Sequence, residues 1–340
     1  MTGELVSLSR NIGDLVPAII ADLGDKASTR YLEFFTANIR NPNTRAAYAY
    51  AAARFLGTCE RHGLSLHAVQ PIHVAAYVEQ LQITHSKPTV KQHLAALRML
   101  FDWLVTGQII PANPAAAVRG PKHIVNKGKT PVLSALDART LLDSIRTEYE
   151  IEAEDEHGKM TDPIKAVDLL GLRDRALIAV MAFSFARIGA VLGMKVEDYY
   201  QNGKRWWLRL HEKGGKFHEV PAHHLLDQYL DAYIKAAGIE GDHKGPLFRS
   251  ARGKTGLLTV KPLRRNNALD MVKRRAKAAG FTPRLCCHTF RATGITAYLQ
   301  EGGTIEKAQK IAAHSSPKTT KLYDRTSDQI TLDEIERIRI

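Results

Sequence analysis

"AHSSPKTTKLYDRT", residues 313–326, places His314 nine positions ahead of Tyr323. Between them a Ser-Ser-Pro turn leads into a run of Lys and Thr. Ser316 followed by Pro317 is the signature of a helix start, with a hydroxyl to cap and a proline at the first position. The expected path therefore ends one helix at His314, turns, and returns through a short helix to Tyr323. Such a reversal carries an imidazole and a phenol toward one point. A phenol titrates near pH 10, so it serves as a nucleophile only with cations and a base beside it. A capping histidine and a core aromatic would need neither. The residues upstream decide between the two readings.

Working outward, "CCHTFRATG" (286–294) sets His288 and Arg291 three apart, on one helix face. "FSFARIGAVLGM" (183–194) sets Arg187 among apolar neighbours at a helix start. A desolvated arginine needs an anion, and its planar fork suits phosphate oxygens. "HEKGGKF" (211–217) puts Lys213 at the tip of a Gly-rich turn. Each has an ordinary reading when taken alone: an exposed helix-end Arg, a surface His-Arg pair, a solvated turn lysine. Together they supply the cations and the base that Tyr323 would need.

Other chemistries find no support in the sequence. The Arg and His segments hold no Asp/Glu cluster suited to Mg²⁺, and no P-loop of the form GxxxxGK[ST] is present. His211, His218, His223 and His224 flank the hairpin without a cysteine pattern, and Cys286-Cys287-His288 has no CxxC partner. No metal and no cofactor are expected. A phosphoryl site of that kind neutralises charge with arginines.

The bulk properties agree. The chain has 340 residues, enough for two domains with separate cores. Hydrophobic residues make up 44% and charged residues 24%, an ordinary globular composition. The charge balance is less ordinary: 48 Lys and Arg against 35 Asp and Glu give +13. That excess favours a polyanionic partner such as nucleic acid. No run nears the roughly 18 apolar residues of a membrane span, and "LVPAIIADLGD" is too short and acidic for a signal peptide. Three cysteines, Cys59, Cys286 and Cys287, do not form a disulfide framework, so a reducing cytoplasm is expected.

Residues 28 to 108 read as helices. "NPNTRAAYAYAAARFLGTCERHG" starts at an Asn-Pro-Asn signal and closes at Gly63, with Tyr48, Ala52, Phe55 and Leu56 on one face. A second helix opens near Pro71. A third carries Val90, Leu94, Leu97 and Phe101 on one side and Lys87, Lys91, His93 and Arg98 on the other. A proline- and glycine-broken stretch, "IIPANPAAAVRGPKHIVNKGKTPVLS", then reads as a linker made basic by Arg119, Lys122, Lys127 and Lys129. These basic residues (Lys87, Lys91, Arg98, Arg119, Lys122, Lys127, Lys129) are candidate DNA contacts. Beyond it Ser134 caps a helix, "EIEAEDEHGKMTDPIK" reads as an acidic loop, and "LLGLRDRALIAVMAFSFARIGAVLGM" as an apolar helical pair. "RWWLRLHEKGGKFHEVPA" reads as a hairpin, followed by three more helices.

Taken in order, Arg187 in "ARIGAVLGM", Lys213 in "HEKGGKFHEVP", His288-Thr289-Phe290-Arg291, and His314 nine before Tyr323 resemble the tyrosine recombinase (phage integrase) family over residues 28 to 327. The fold this implies is mainly α with a small antiparallel β-sheet: an N-terminal helical bundle (core-binding, SAM-like) and a mixed α+β catalytic domain of the tyrosine recombinase type. The expected division is an N-terminal extension (1–27), a core-binding domain (28–118), a basic linker (119–131), a catalytic domain (132–327) and a C-terminal tail helix (328–340).

The function implied is a site-specific DNA recombinase, or integrase, that cuts and rejoins DNA through a 3′-phosphotyrosine without metal or ATP. Arg187 and Arg291 would clamp the scissile phosphate, Tyr323 attack it, and Lys213 protonate the departing 5′ oxygen. His288 would assist the proton transfer and His314 add a hydrogen bond. Two departures stand out. The family often has an acid three positions after the first arginine, where this chain has Ala190, and a histidine after the second, where it has Ala292. Ala190 is expected to loosen the support of Arg187, so that activity is lower unless another acid, such as Glu197 or Asp198, supports it.

The implied partners are double-stranded DNA carrying a specific site, further copies in a tetramer on that DNA, and accessory directionality proteins, with no membrane. The implied setting is the cytoplasm, on the nucleoid, of a bacterium or phage. "TLDEIERIRI" is expected to dock on a neighbouring subunit. Type IB topoisomerase-like relaxation and a catalytically silent DNA-binding regulator are the alternatives.

Overall fold

The computed structural model describes residues 16–123, 128, 130–154, 160–212, 217–253, 255–282, 284–324 and 335–336. The chain divides into two compact units between residues 124 and 125.

In the first unit a short helix α1 (Ala18–Ala21) precedes α2 (Asp25–Glu33), α3 (Pro42–Arg61), α4 (Pro71–Thr84) and α5 (Lys87–Thr106). Asn41 starts α3 by accepting from the backbone N–H groups of Asn43 and Thr44 at 3.0 and 3.1 Å, with Pro42 at the first position. Gly63 ends it in the left-handed region (φ 66°) that a side chain would resist. Phe55 and Leu56 of α3 and Val90, Leu94, Leu97 and Phe101 of α5 are buried together, as their helical spacing predicts. Each such side chain contributes roughly 1.5–3 kcal/mol.

Two readings change. Val16, Ile19, Ile20 and Ala27 belong to this core, so the bundle takes in more than residues 28–118. His93 is not on the basic face of α5. It is buried, with Nδ1 3.1 Å from the Tyr77 hydroxyl, because a polar side chain that finds a buried partner can join an apolar face.

The second unit begins with α6 (Ala135–Asp143), whose cap Ser134 accepts from the Asp137 N–H at 3.0 Å. The stretch expected as an acidic loop is instead an antiparallel hairpin, β1 (Glu148–Glu154) and β2 (Met160–Val167). Its residues Glu-Tyr-Glu-Ile-Glu-Ala-Glu alternate with the strand period of two, a pattern masked by the charge. Then come α7 (Leu169–Phe183), α8 (Ile188–Leu192), and a three-stranded antiparallel sheet of β3 (Tyr199–Asn202), β4 (Arg205–His211) and β5 (Phe217–Pro221). Leu208 pairs with Val220, and Leu208 and Leu210 face the core. Helix α9 (His224–Ala237), the hairpin β6 (Arg249–Ala251) and β7 (Leu258–Pro262), α10 (Arg265–Ala278), α11 (Cys287–Gln300), α12 (Ile305–Ile311) and α13 (Pro317–Lys321) complete it.

Helix α7 is the axis of this unit, buried on nearly every side and packed against α9 and α11. Gly294 lets α11 approach: a Cβ there would sit 1.9 Å from the Ala182 carbonyl oxygen. Asp174 of α7 is fully buried and binds Arg173 at 2.7 Å and Arg275 of α10 at 2.9 Å. Removing one partner of such a network strands buried charge. Asp174→Ala is expected to cost about 3–5 kcal/mol in urea unfolding of the full chain, by the same reasoning.

Candidate active site

Four chain reversals in the second unit bring the candidate side chains together. Arg187 caps α8 just after α7, and its side chain is 36% exposed. His288 and Arg291 sit in the first turns of α11, where Cys286 and Thr289 cap the helix reciprocally. His314 follows α12 through Ala313, a left-handed residue (φ 47°), with its N–H bonded to the Gln309 carbonyl at 3.0 Å. Tyr323 follows α13, which Ser316 caps as expected.

The Tyr323 hydroxyl lies 2.7 Å from Nε2 of His288, placed to donate to it. The rings of His314 and Tyr323 stack, with centroids 5.9 Å apart and planes 8° off parallel. Thr296 of α11 donates to the Tyr323 carbonyl at 3.0 Å, fixing the backbone beneath the phenol. Tyr323 itself is buried with Phe185, Ala292, Ile295, Leu299, Ala308 and Ala312. Ala292, where the family often has histidine, is thus part of the floor of this cluster.

Arg291 is 1% exposed. It donates through Nη1 to the Phe185 carbonyl and through Nη2 to the Ala312 carbonyl, the latter at 2.7 Å. Phe185 is itself left-handed (φ 54°). Left-handed Phe185 carries one of the carbonyls that hold this arginine and left-handed Ala313 follows the other, the kind of place where strain concentrates.

Glu197 and Asp198, the acids expected from the sequence, are engaged elsewhere. Glu197 pairs with Lys244 at 2.7 Å, and Asp198 accepts from the Lys195 N–H at 2.8 Å. Glu212, at the end of β4, meets Arg187 instead: Oε2 lies 2.6 Å from the guanidinium, and Oε1 accepts the Arg187 backbone N–H at 3.2 Å. Oε1 is also 3.7 Å from Nη1 of Arg291. Sequence reading missed this residue because the pairing spans 25 positions; its place beside Lys213 in "HEKGGKF" was the available signal.

Charge and burial set the protonation states. Burial, then the charges of Arg291 and Arg187, push His288 below its ordinary 6.5. The same causes lower His314 to about 3. Burial raises Tyr323 above 10, opposed by Arg291 and Arg187. At neutral pH the site thus holds a neutral imidazole facing a protonated phenol. The unfolded histidines accept protons near 6.5 while the folded ones resist, so the unfolded state gains protons as pH falls. The histidines' stabilising effect is whole above pH 6.5 and drains away between 6.5 and about 3. Thermal unfolding should show Tm falling from pH 7.5 to 5.5, with a smaller fall in His314→Gln.

A cavity of about 320 Å³ opens beside Arg187 and His288, lined also by Arg265, Asn266 and Cys286. Lys213 lies outside the described residues, as do Lys127 and Lys129. In the first unit Lys87, Lys91, Arg119 and Lys122 are exposed. Arg98 differs: its guanidinium binds the carbonyls of Ala115 (3.2 Å) and Val118, bracing the segment after α5. Among the described residues no His, Cys, Asp and Glu group could hold a metal ion, and no helix is long and apolar enough to cross a membrane.

The chain belongs to the phage integrase family, which it matches over residues 153–329, and is a site-specific recombinase of the tyrosine class. Residues 29–110 match that family's N-terminal SAM-like domain. Tyrosine recombinase XerC of Chlamydia muridarum is 28% identical over 257 residues, covering 74% of this chain and 70% of the relative. Two solved structures share the fold. A XerH site-specific recombinase bound to palindromic difH substrate, a post-cleavage complex, has TM-score 0.64 at 18% identity, covering 86% of this chain and 79% of the other. A lambda integrase tetramer bound to a Holliday junction has TM-score 0.62 at 16% identity, covering 97% and 84%. The topoisomerase-like and silent-regulator readings are not favoured.

Proposed function

We propose that the chain cleaves and rejoins duplex DNA at a specific site through a 3′-phosphotyrosine at Tyr323. The observation that carries this is the 2.7 Å pairing of the Tyr323 hydroxyl with His288 Nε2 beside two arginines. His288 takes the phenolic proton as Tyr323 Oη bonds to phosphorus. The bond from phosphorus to the 5′ oxygen breaks, and Lys213 gives that oxygen a proton. Arg187 and Arg291 hold the nonbridging oxygens, where negative charge builds. A guanidinium has five N–H donors, so the two that Arg291 commits to carbonyls leave others for phosphate.

Thr320 supports the role of His314. Its hydroxyl is 2.9 Å from Nδ1; donating there, it keeps the proton on Nε2, ready for a phosphate oxygen. One phosphoester is exchanged for another of similar energy, so no nucleoside triphosphate is consumed. A 5′-hydroxyl from a partner duplex then reverses the step and completes strand exchange.

The first unit acts as the core-binding domain, with Lys87, Lys91, Arg119 and Lys122 toward DNA and Lys127 and Lys129 continuing along the linker. Copies assemble as a tetramer on DNA, supported by the lambda integrase tetramer on a Holliday junction. The tail, 328–340, docks on the neighbouring copy; its described residue Ile335 is exposed. The activity belongs to the cytoplasm, and accessory directionality proteins are candidate partners. The test is incubation with labelled fragments from the gene's own flanks, some nicked to trap cleavage. A detergent-resistant shift supports the reading; native-gel shifts without any adduct contradict it.

A further inference from the structure

We propose that Glu212 is the positioning acid of this site, a single carboxylate that aligns both arginines. The inference rests on the recombinase reading above. Three contacts carry it. Oε2 grips the Arg187 guanidinium at 2.6 Å, Oε1 accepts the Arg187 backbone N–H at 3.2 Å, and Oε1 stands 3.7 Å from Arg291. The side chain is 1% exposed. A carboxylate is not buried so deeply without compensation, and here two cations from different elements supply it.

The geometry also accounts for Ala190. That residue is buried in the apolar core of the unit, and its methyl group cannot bind a guanidinium. The acid reaches Arg187 from the end of β4 instead of from α8. Because Glu212 directly follows β4, the same contact joins the end of that strand to the turn that presents Arg187. Arg187, partly exposed, would otherwise sweep many rotamers; paired, it presents a set fork. Glu212 touches no reacting atom. It acts through the arginines.

The experiment is single-turnover strand cleavage of a duplex bearing the mapped site, with an ordinary phosphodiester or a methylphosphonate at the cut. Wild type, Glu212→Gln and Glu212→Asp are compared, with DNA binding and Tm measured alongside. Glu212→Gln should cleave the phosphodiester roughly 10²-fold more slowly, while binding stays within about threefold of wild type, since exposed cations carry most of that affinity. Glu212→Asp should recover part of the rate. A methylphosphonate has lost one anionic oxygen and asks less of the arginines, so the Gln penalty should shrink by roughly tenfold there.

Equal penalties on the two substrates, or DNA binding falling along with cleavage, would make Glu212 merely structural and overturn the inference. So would an unchanged rate in Glu212→Gln while wild type forms adducts, which leaves the recombinase reading intact. A wild type that forms no adduct on any fragment overturns that reading and this role with it.

Discussion

Tyr323→Phe is expected to form no covalent DNA adduct, a loss on the order of 10⁴-fold or more in cleavage rate. It should still bind DNA and fold. Phenylalanine keeps the ring that stacks on His314 and packs with Phe185, Ile295 and Leu299; it loses only the hydroxyl paired with His288. One buried hydrogen bond to an imidazole is worth about 1 kcal/mol, too little to unfold the unit. Denaturing gels for the adduct, native gels for binding and thermal unfolding for the fold separate the three quantities. An adduct of wild-type yield would remove Tyr323 as the nucleophile.

Arg291 gives the second large effect, and it falls on chemistry and folding together. The guanidinium stabilises charge on phosphate, where loss of one donor costs about 10²–10³ in rate. It also holds the Phe185 and Ala312 carbonyls and faces Glu212. Arg291→Ala leaves those carbonyls and a carboxylate short of partners inside the protein, with an expected loss of about 3–5 kcal/mol. Arg291→Lys keeps the charge but cannot reach two carbonyls and a phosphate with one ammonium. Its expected signature is a cleavage defect of about 10²-fold or more, with a smaller fall in the urea midpoint than the alanine variant. Equal urea midpoints for the two variants would show that the carbonyl contacts do not hold this part of the fold.

Local features were the legible ones. The Ser316-Pro317 helix start, the Asn41 cap, the shared face of His288 and Arg291, and the nine-residue step from His314 to Tyr323 each depend on neighbours in the chain. Backbone geometry turns such spacing directly into position. Glu212 was not legible because its meaning depends on a partner 25 positions away, and the substitutes suggested by proximity, Glu197 and Asp198, are engaged by Lys244 and the Lys195 N–H. His93 misled for a related reason: helical periodicity put it with lysines, but Tyr77 on another helix supplied a buried partner. The hairpin β1–β2 hid behind its charge although its alternation was plain. The left-handed backbone at Phe185 and Ala313 has no sequence signal, since neither is glycine.

Chemical identification of the covalent bond tests whether Tyr323 is the nucleophile. Wild-type protein, trapped on a nicked duplex in buffer containing chelator and no nucleotide, is digested with protease and nuclease, and the adduct is sequenced by mass spectrometry. The expected product is nucleotide attached through its 3′-phosphate to Tyr323, with a free 5′-hydroxyl on the released strand. A 5′-phosphate linkage, or attachment to any other residue, would contradict it.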